Sequence, residues 1–144
     1  MTRAENARQL FEQGYSCAQA VAVAFCDVMG VDADTAAKLA SSFGGGMGRL
    51  REVCGAVSGA MLVLGAAQGY FRPDDVEGKK AQYARVQQFA ADFKARCGSI
   101  ICRELLGLPG AESPVPDPRT AQYYKKRPCA QLVFDAAQLL EQTL

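Results

Sequence analysis

The sequence has no histidine among its 144 residues. This absence excludes Ser-His and Cys-His catalytic pairs, zinc sites with imidazole ligands, and histidine-ligated haem. It also removes the side chain that most often transfers protons near neutral pH. Any chemistry of this chain must therefore use cysteine, carboxylate, lysine, tyrosine or backbone groups.

The chain also lacks an excess of charge of either sign, since 16 Lys and Arg face 15 Asp and Glu. Proteins that bind nucleic acid or anionic membranes normally carry a basic excess, so neither partner is expected. The longest apolar run, about Gly59 to Ala67, is too short to span a bilayer, and no apolar stretch typical of a signal peptide follows Met1. We therefore expect no membrane insertion and a cytoplasmic location, where thiols stay reduced.

Convincing strand patterns are absent as well, and the apolar residues recur with a helical period. Apolar residues form 49% of the chain and charged residues 22%, which is typical of a globular domain. We expect one all-α domain over residues 1–144, a compact bundle of about five to six helices. Four prolines between Leu108 and Lys126 predict an irregular, proline-rich loop before the last helix.

The helix boundaries follow from capping residues and glycines. The patterns predict helices from Ala4 to Gln13, from the cap Ser16 to Gly30, from the cap Asp32 to Ala40, from Cys54 to Gln68, from Asp75 to Cys97, from the cap Ser99 to Leu106, and from Pro128 onward. The longest of them is expected to bury one apolar stripe, formed by Val76, Tyr83, Val86, Phe89, Ala90 and Phe93.

Six cysteines are too few for a disulfide scaffold in a domain of this size. In a reducing compartment such a set is more often metal-binding or redox-active. Two of the six are expected to be packing residues. Cys26 lies on the opposite side of its helix from Cys17, and Cys97 lies at a helix C-terminus, where the dipole opposes a thiolate.

The other four cysteines, Cys17, Cys54, Cys102 and Cys129, each lie in or beside the first turn of a predicted helix. Unpaired N–H groups and the positive end of the helix dipole favour an anionic sulfur there. We therefore expect these thiols to have a pKa below the usual value of about 8.5. A thiolate is the form that both redox chemistry and metal ligation require.

Glycines accompany the central cysteine. Gly55 and Gly59, four residues apart, leave one helix face without side chains, so that a neighbouring helix or an inorganic cluster can approach closely. The run from Phe43 to Gly48 matches neither nucleotide-binding fingerprint, although consecutive glycine N–H groups can bind anions. We expect this run to be a tight connection that brings Cys54 to the other sulfurs.

A basic tract precedes the last helix, beside Tyr123 and Tyr124. It contains Arg119, Lys125, Lys126 and Arg127. Such a tract can hold a phosphate or an acidic partner, but a solvated loop face is the expected interpretation.

These motifs resemble the C_GCAxxG_C_C family of small proteins suspected of redox activity, and the resemblance covers essentially the whole chain. It rests on Tyr15–Gln19, Phe43–Gly48, Cys54–Gly59, Cys102–Gly107 and Cys129. The order here is Cys-Gly-Ala where the family label has Gly-Cys-Ala, and we treat the two as one element. The resemblance implies that Cys17, Cys54, Cys102 and Cys129 are the family's set, with Cys26 and Cys97 additional.

The family motif also resembles part of the split-Soret cytochromes, which combine haem with an iron–sulfur centre. The present chain has neither C-x-x-C-H nor any histidine, so no haem is expected. The leading hypothesis is a four-thiolate site that holds an iron–sulfur cluster, or less favourably zinc, for electron transfer or sensing. Its metal ligands would be Cys17, Cys54, Cys102 and Cys129, with Gly55 and Gly59 giving the cluster room.

Two alternatives remain open at this point. The first is a metal-free dithiol/disulfide redox protein, in which Cys54 attacks and Cys102 or Cys129 resolves the mixed disulfide. The second is a non-catalytic helical module, a homodimer formed through the apolar central helix, with the cysteines as packing residues. The sequence does not identify a redox partner.

Overall fold

A computed structural model describes all 144 residues, and it confirms the all-α fold. Nine right-handed helices follow one another: α1 (Arg3–Glu12), α2 (Cys17–Ala24), α3 (Cys26–Met29), α4 (Ala33–Ala40), α5 (Gly55–Gln68), α6 (Val76–Cys97), α7 (Cys102–Leu106), α8 (Ala121–Lys126) and α9 (Cys129–Thr143). The β-type pairing is limited to one antiparallel bridge, between Val53 and Ile101. No helix has both the length and the apolar character needed to cross a membrane.

Side-chain caps set several helix starts where the sequence predicts them. Thr2 and Ser16 each form a capping box, and the Asp32 carboxylate accepts a hydrogen bond from the Thr35 N–H. Each cap satisfies N–H groups that the first helical turn leaves without a partner. At the other end, Gly30 and Gly107 stop α3 and α7 in the left-handed conformation that glycine adopts without strain.

The chain has more helices than expected, for two local reasons. The helix predicted from Ser16 to Gly30 is interrupted at Phe25, which has φ −117° and ψ 20°, so α2 ends there and α3 begins. The segment expected to be irregular before Pro128 contains α8, because the Thr120 hydroxyl caps it by accepting from the Tyr123 N–H.

The glycine run forms a left-handed turn over Gly44–Met47. Gly45 and Gly46 both have φ of 68°, and three residues with side chains also have positive φ: Met47, Arg49 and Arg51. Left-handed backbone costs an ordinary residue about 1–2 kcal/mol, so this stretch is conformationally expensive. Strain of this kind is concentrated at functional sites.

Helices α2 and α5 cross at the centre of the bundle, and Gly59 sets how closely they approach. A Cβ atom at Gly59 would lie 2.6 Å from the carbonyl oxygen of Ala18 and 3.2 Å from its Cα. The expectation that the small face of this helix admits a neighbouring helix is therefore confirmed. Around this crossing lies a core of 21 buried residues, contributed mainly by α1, α2, α5, α6 and α9.

The expected stripe on α6 is only partly buried. Phe89 and Phe93 are buried, but Val76 and Tyr83 are 71% and 54% exposed, so the prediction for those two residues is wrong. The helix reaches the core through the phenylalanines in its second half, and its first half buries no apolar side chain. The central helix α5 buries most of its apolar residues within this chain, which leaves few of them for contact with a second copy. The homodimer stays a prediction.

Candidate functional site

Four cysteines from distant parts of the chain line one cavity of about 60 Å³. Cys17, Cys102 and Cys129 are the first residues of α2, α7 and α9, and Cys54 immediately precedes α5 as its N-cap. The predicted placement of these cysteines at helix starts is thus confirmed. The helices converge with their amino ends on a common space.

The bridge between Val53 and Ile101 brings two of the sulfurs together. The Cys54 N–H donates to the Ile100 carbonyl at 2.7 Å, and the Cys102 N–H donates to the Glu52 carbonyl at 2.6 Å. Because side chains alternate along extended backbone, Cys54 and Cys102 lie on the same face of this short ribbon. Both residues are buried.

Two glycines give the sulfurs room. A Cβ on Gly55 would collide with the Cys17 sulfur and would lie 2.9 Å from the Phe43 carbonyl oxygen, so only glycine fits at the start of α5. On the other side of the cavity, a Cβ on Gly46 would lie 2.7 Å from the Cβ of Cys102. The left-handed turn and the Cys-Gly-Ala motif are therefore both packed directly against cysteines of the cavity.

Burial, and not the helix dipole, dominates the electrostatics of three of the thiols. Burial raises the pKa of Cys17, the pKa of Cys54 well above its ordinary value, and the pKa of Cys129 to about 12. Backbone N–H groups of Ala56 and Val57 act in the opposite direction on the pKa of Cys54, but they do not compensate. The expectation of lowered pKa values at these helix starts is wrong for these three cysteines.

A guanidinium contacts the sulfur of Cys102, the fourth cysteine of the cavity. The Arg51 Nη1 donates to the Cys102 Sγ at 3.5 Å, and both side chains are buried. An adjacent cation favours the charged form of a thiol. Sequence reasoning missed Arg51, because its sulfur partner lies 51 positions along the chain and no local motif links the two.

The four thiols are also electrostatically coupled. A negative charge on Cys102 raises the pKa of Cys17 and of Cys129, after the larger effect of burial. A charge on Cys17 likewise raises the pKa of Cys54 and of Cys129. Cys129 also raises the pKa of Cys54, so Cys17 and Cys129 each interact with the other three sulfurs.

Acidic and basic side chains hold the proline-rich segment over the cavity. Arg51 Nε donates to Glu112 at 2.8 Å, and Arg49 Nη1 donates to Asp117 at 3.0 Å. Arg127 reaches the same Asp117 carboxylate at 3.0 Å. These ion pairs tie the strained residues after the left-handed turn to the segment before α8.

Part of the basic tract belongs to the site. Arg119 lines the sulfur cavity and is half-buried, so its expected place on a solvated loop face is wrong. Lys125 and Lys126 are exposed, in agreement with that expectation. The remaining two cysteines lie outside the cavity: Cys26 and Cys97 pack against the hydrophobic clusters, as predicted.

Comparison with known proteins identifies the family of this chain. The family model described as "Putative redox-active protein (C_GCAxxG_C_C)" matches residues 15–143. The chain belongs to this family. No curated protein and no solved structure matches it.

The C_GCAxxG_C_C cysteines have the right chemistry for a metal centre, because thiolates bind zinc and iron–sulfur clusters. Their geometry fits a single metal ion less well, since no three Cys, Asp or Glu side chains lie close enough together to hold one. The sulfurs surround a shared cavity without converging on one point. Ligation by Cys17, Cys54, Cys102 and Cys129 stays a prediction.

The raised thiol pKa values predict a loss of stability at high pH in this C_GCAxxG_C_C protein. Cys129 holds its proton up to about pH 12 in the folded chain, whereas an unfolded cysteine loses it near pH 8.5. The stabilisation is therefore complete below about pH 8.5 and is lost as pH rises through 12, by about 1.4 kcal/mol per pH unit for this thiol. The free energy of unfolding, measured with urea at several pH values in this range, should fall less steeply with pH in Cys129→Ala than in the wild type. An unchanged slope would contradict the shift.

Proposed function

We propose that the chain is a thiol–disulfide redox protein in which Cys102 is the attacking sulfur and Cys17 the resolving sulfur. The observation that supports this proposal most directly is the cavity lined by four cysteines, one of which accepts a hydrogen bond from a buried arginine. Membership of a family described as redox-active agrees with it. The reaction needs only sulfur and protons, so the absence of histidine is no obstacle.

The geometry favours Cys102 over Cys54 as the attacking group. A thiolate is the nucleophile in disulfide exchange. The Arg51 guanidinium donates to the Cys102 sulfur, whereas Cys54 has no such cation and burial holds its pKa well above the ordinary value. This assignment differs from the sequence-based alternative, in which Cys54 attacks and Cys102 or Cys129 resolves.

The interaction of Cys17 with the Cys102 sulfur and with the Gly45 N–H supports its role as the resolving sulfur. It is coupled to Cys102 directly, and the Gly45 N–H acts to lower its pKa, although burial acts more strongly in the opposite direction. Cys129 is the other sulfur coupled to Cys102, and its pKa of about 12 leaves very little of it as thiolate near neutral pH.

The exchange balances as follows. The Cys102 thiolate attacks one sulfur of a substrate disulfide, which forms a mixed disulfide and releases the first substrate thiolate. Cys17 then loses its proton, attacks the Cys102 sulfur and releases the second substrate thiolate. Two protein thiols are oxidised to one disulfide, and the substrate disulfide is reduced to two thiols that take up the two protons. A dithiol reductant returns the protein to its starting state.

Counting free thiols tests the proposal. The reduced protein has six thiols, and mild oxidation with a disulfide should remove two of them, with peptide mapping placing the new bond between Cys102 and Cys17. Cys102→Ser should abolish this reversible loss of two thiols, because no other sulfur accepts a hydrogen bond from a guanidinium. Cys26→Ser is the matched control, since its sulfur lies outside the cavity, and it should react like the wild type.

Three results would contradict the proposal. All six thiols could resist the oxidant until the protein is denatured, which would make the cysteines packing residues. Cys102→Ser could retain the loss of two thiols. Mapping could also find the bond between Cys102 and Cys129, which would leave the chemistry in place but remove Cys17 from the resolving role.

A four-thiolate metal centre is the second candidate, because all four cysteines of the family motif border the same cavity. A zinc ion would require the sulfurs to move closer together than they are here, whereas the cysteines of an iron–sulfur cluster are ligands of different iron atoms and lie farther apart. Anaerobic purification, a visible spectrum between about 300 and 600 nm, and metal analysis separate the two candidates. Bound iron or zinc that disappears in both Cys102→Ser and Cys129→Ser would favour this candidate over disulfide exchange.

A further inference from the structure

Arg119 carries a half-buried positive charge with no carboxylate partner. Its guanidinium donates only to neutral oxygens: the Phe11 carbonyl at 2.9 Å, the Tyr15 carbonyl at 2.9 Å and the Tyr124 hydroxyl at 3.2 Å. A guanidinium has five N–H donors, so two of them have no acceptor. A cation in such a place is costly unless something compensates its charge.

Aromatic rings fix the orientation of this guanidinium. Its central carbon lies 4.3 Å from the centre of the Phe11 ring and 5.1 Å from that of Tyr123. Cation–π contacts hold a cation in place without neutralising it. The side chain is therefore held rigidly while its charge stays available to a ligand.

Arg119 lies where two cavities adjoin. One is the sulfur cavity, and the other is a polar cavity of about 330 Å³. Residues that line both include Ser16, Arg51 and Arg119. Since Arg51 also contacts the Cys102 sulfur, one side chain connects the polar cavity to the attacking group.

The charges around the polar cavity favour an anion. Three guanidiniums, those of Arg49, Arg51 and Arg119, line the cavity with one carboxylate, that of Asp117. Outside the lining, Glu112 pairs with Arg49 and Arg51, and Arg127 pairs with Asp117. The hydrogen bond from Arg49 and the nearby cations lower the pKa of Asp117, so both carboxylates are already engaged in ion pairs. The cluster thus has an excess of two positive charges.

We propose that the polar cavity binds the carboxylate of a small anionic disulfide, with Arg119 as the principal binding residue. The inference rests on the proposed function, because it names the substrate class of the same exchange reaction. A volume of about 330 Å³ suits a compact organic molecule. With its carboxylate on Arg119, such a disulfide would place a sulfur near Cys102, which attacks it as described above and releases a carboxylate-bearing thiolate.

Three disulfides with the same two-carbon arms test this specificity: dithiodipropionate is anionic, hydroxyethyl disulfide is neutral and cystamine is cationic. Each exchange rate with the full chain is divided by the rate of the same disulfide with dithiothreitol, which removes intrinsic reactivity. The normalised rate should be at least about tenfold higher for the anion than for the neutral compound, as expected for a charge-assisted hydrogen bond. The preference should fall as salt screens the charges.

Variants assign the preference to Arg119. Arg119→Gln should remove most of it, whereas Arg119→Lys, which retains the cation, should keep a substantial part. Lys125→Gln removes the same charge from an exposed position of α8 and should leave the preference unchanged. If Arg119→Lys lost the preference as fully as Arg119→Gln, with both variants folded by circular dichroism, Arg119 would be a structural tether and the proposal would be overturned.

A non-reducible ligand separates this inference from the proposed function. Suberate has the chain length and two carboxylates of dithiodipropionate but no disulfide, and calorimetry should detect its binding, weakened about tenfold or more in Arg119→Gln. Equal normalised rates for the three disulfides and no suberate binding would overturn the inference while exchange at Cys102 survived. Suberate binding that depends on Arg119, without any exchange, would instead support the anion site and overturn the redox reaction.

Discussion

Replacing Gly59 by alanine is expected to lower the free energy of unfolding by about 1–3 kcal/mol or more, the range observed when an extra methyl group is forced into a packed core. The added Cβ would meet the Ala18 carbonyl oxygen at 2.6 Å. That atom belongs to helix backbone and cannot rotate away, so α2 and α5 must separate. Because Cys17 begins α2 and Cys54 caps α5, the separation should also widen the sulfur cavity.

Gly65→Ala is the matched control for this prediction, because Gly65 lies in the same helix and a Cβ added there would have no neighbour within 4 Å. Alanine is favoured over glycine in a helix interior by up to about 1 kcal/mol. Gly65→Ala should therefore stabilise the protein, and the two substitutions should have opposite signs in equilibrium urea unfolding. Two stabilising substitutions would show that the close approach of α2 and α5 is not required.

The sequence predicts the helix starts at the cysteines because capping is a local property. Ser16 and the glycines near Cys54 lie within a few residues of the helix ends they define. Arg51 and Arg119 could not be found in that way. Their partners, the Cys102 sulfur and the Phe11 carbonyl, become neighbours only when the bundle folds.

The expectation of lowered thiol pKa values was wrong because the cost of burying a charge exceeds the stabilisation that a helix N-terminus provides. A helix N-terminus stabilises a charge by about 0.3–1 kcal/mol, whereas removing an ionised group from water costs several kcal/mol. Helix position can be read from the sequence, but the depth of burial depends on what covers the helix end. For Cys129 burial dominates and the pKa rises to about 12. The predicted burial of the apolar stripe on α6 was wrong for a similar reason, because sequence periodicity does not show where a neighbouring helix ends.

Arg51→Gln is expected to slow alkylation of Cys102 by iodoacetamide at pH 8 by about 10–100-fold. Hydrogen bonds to charged groups contribute about 1.5–3 kcal/mol, and glutamine would contact the sulfur without stabilising its charge. Glu112 keeps an ion pair with Arg49 at 3.6 Å, so the proline-rich segment stays tethered. Mass spectrometry of quenched samples gives the rate at Cys102 alone, independently of the other five cysteines.

Arg51→Lys should restore part of the rate, since it returns a positive charge with a different shape. Arg72→Gln is the control for a general change in charge, because Arg72 is exposed and pairs only with Asp74. It should leave the alkylation rate unchanged. Arg51 would have no role in activating the thiol if Arg51→Gln reacted as fast as the wild type while remaining folded. In that case the attacking sulfur would have to be sought among Cys17, Cys54 and Cys129, whose ionisation burial opposes.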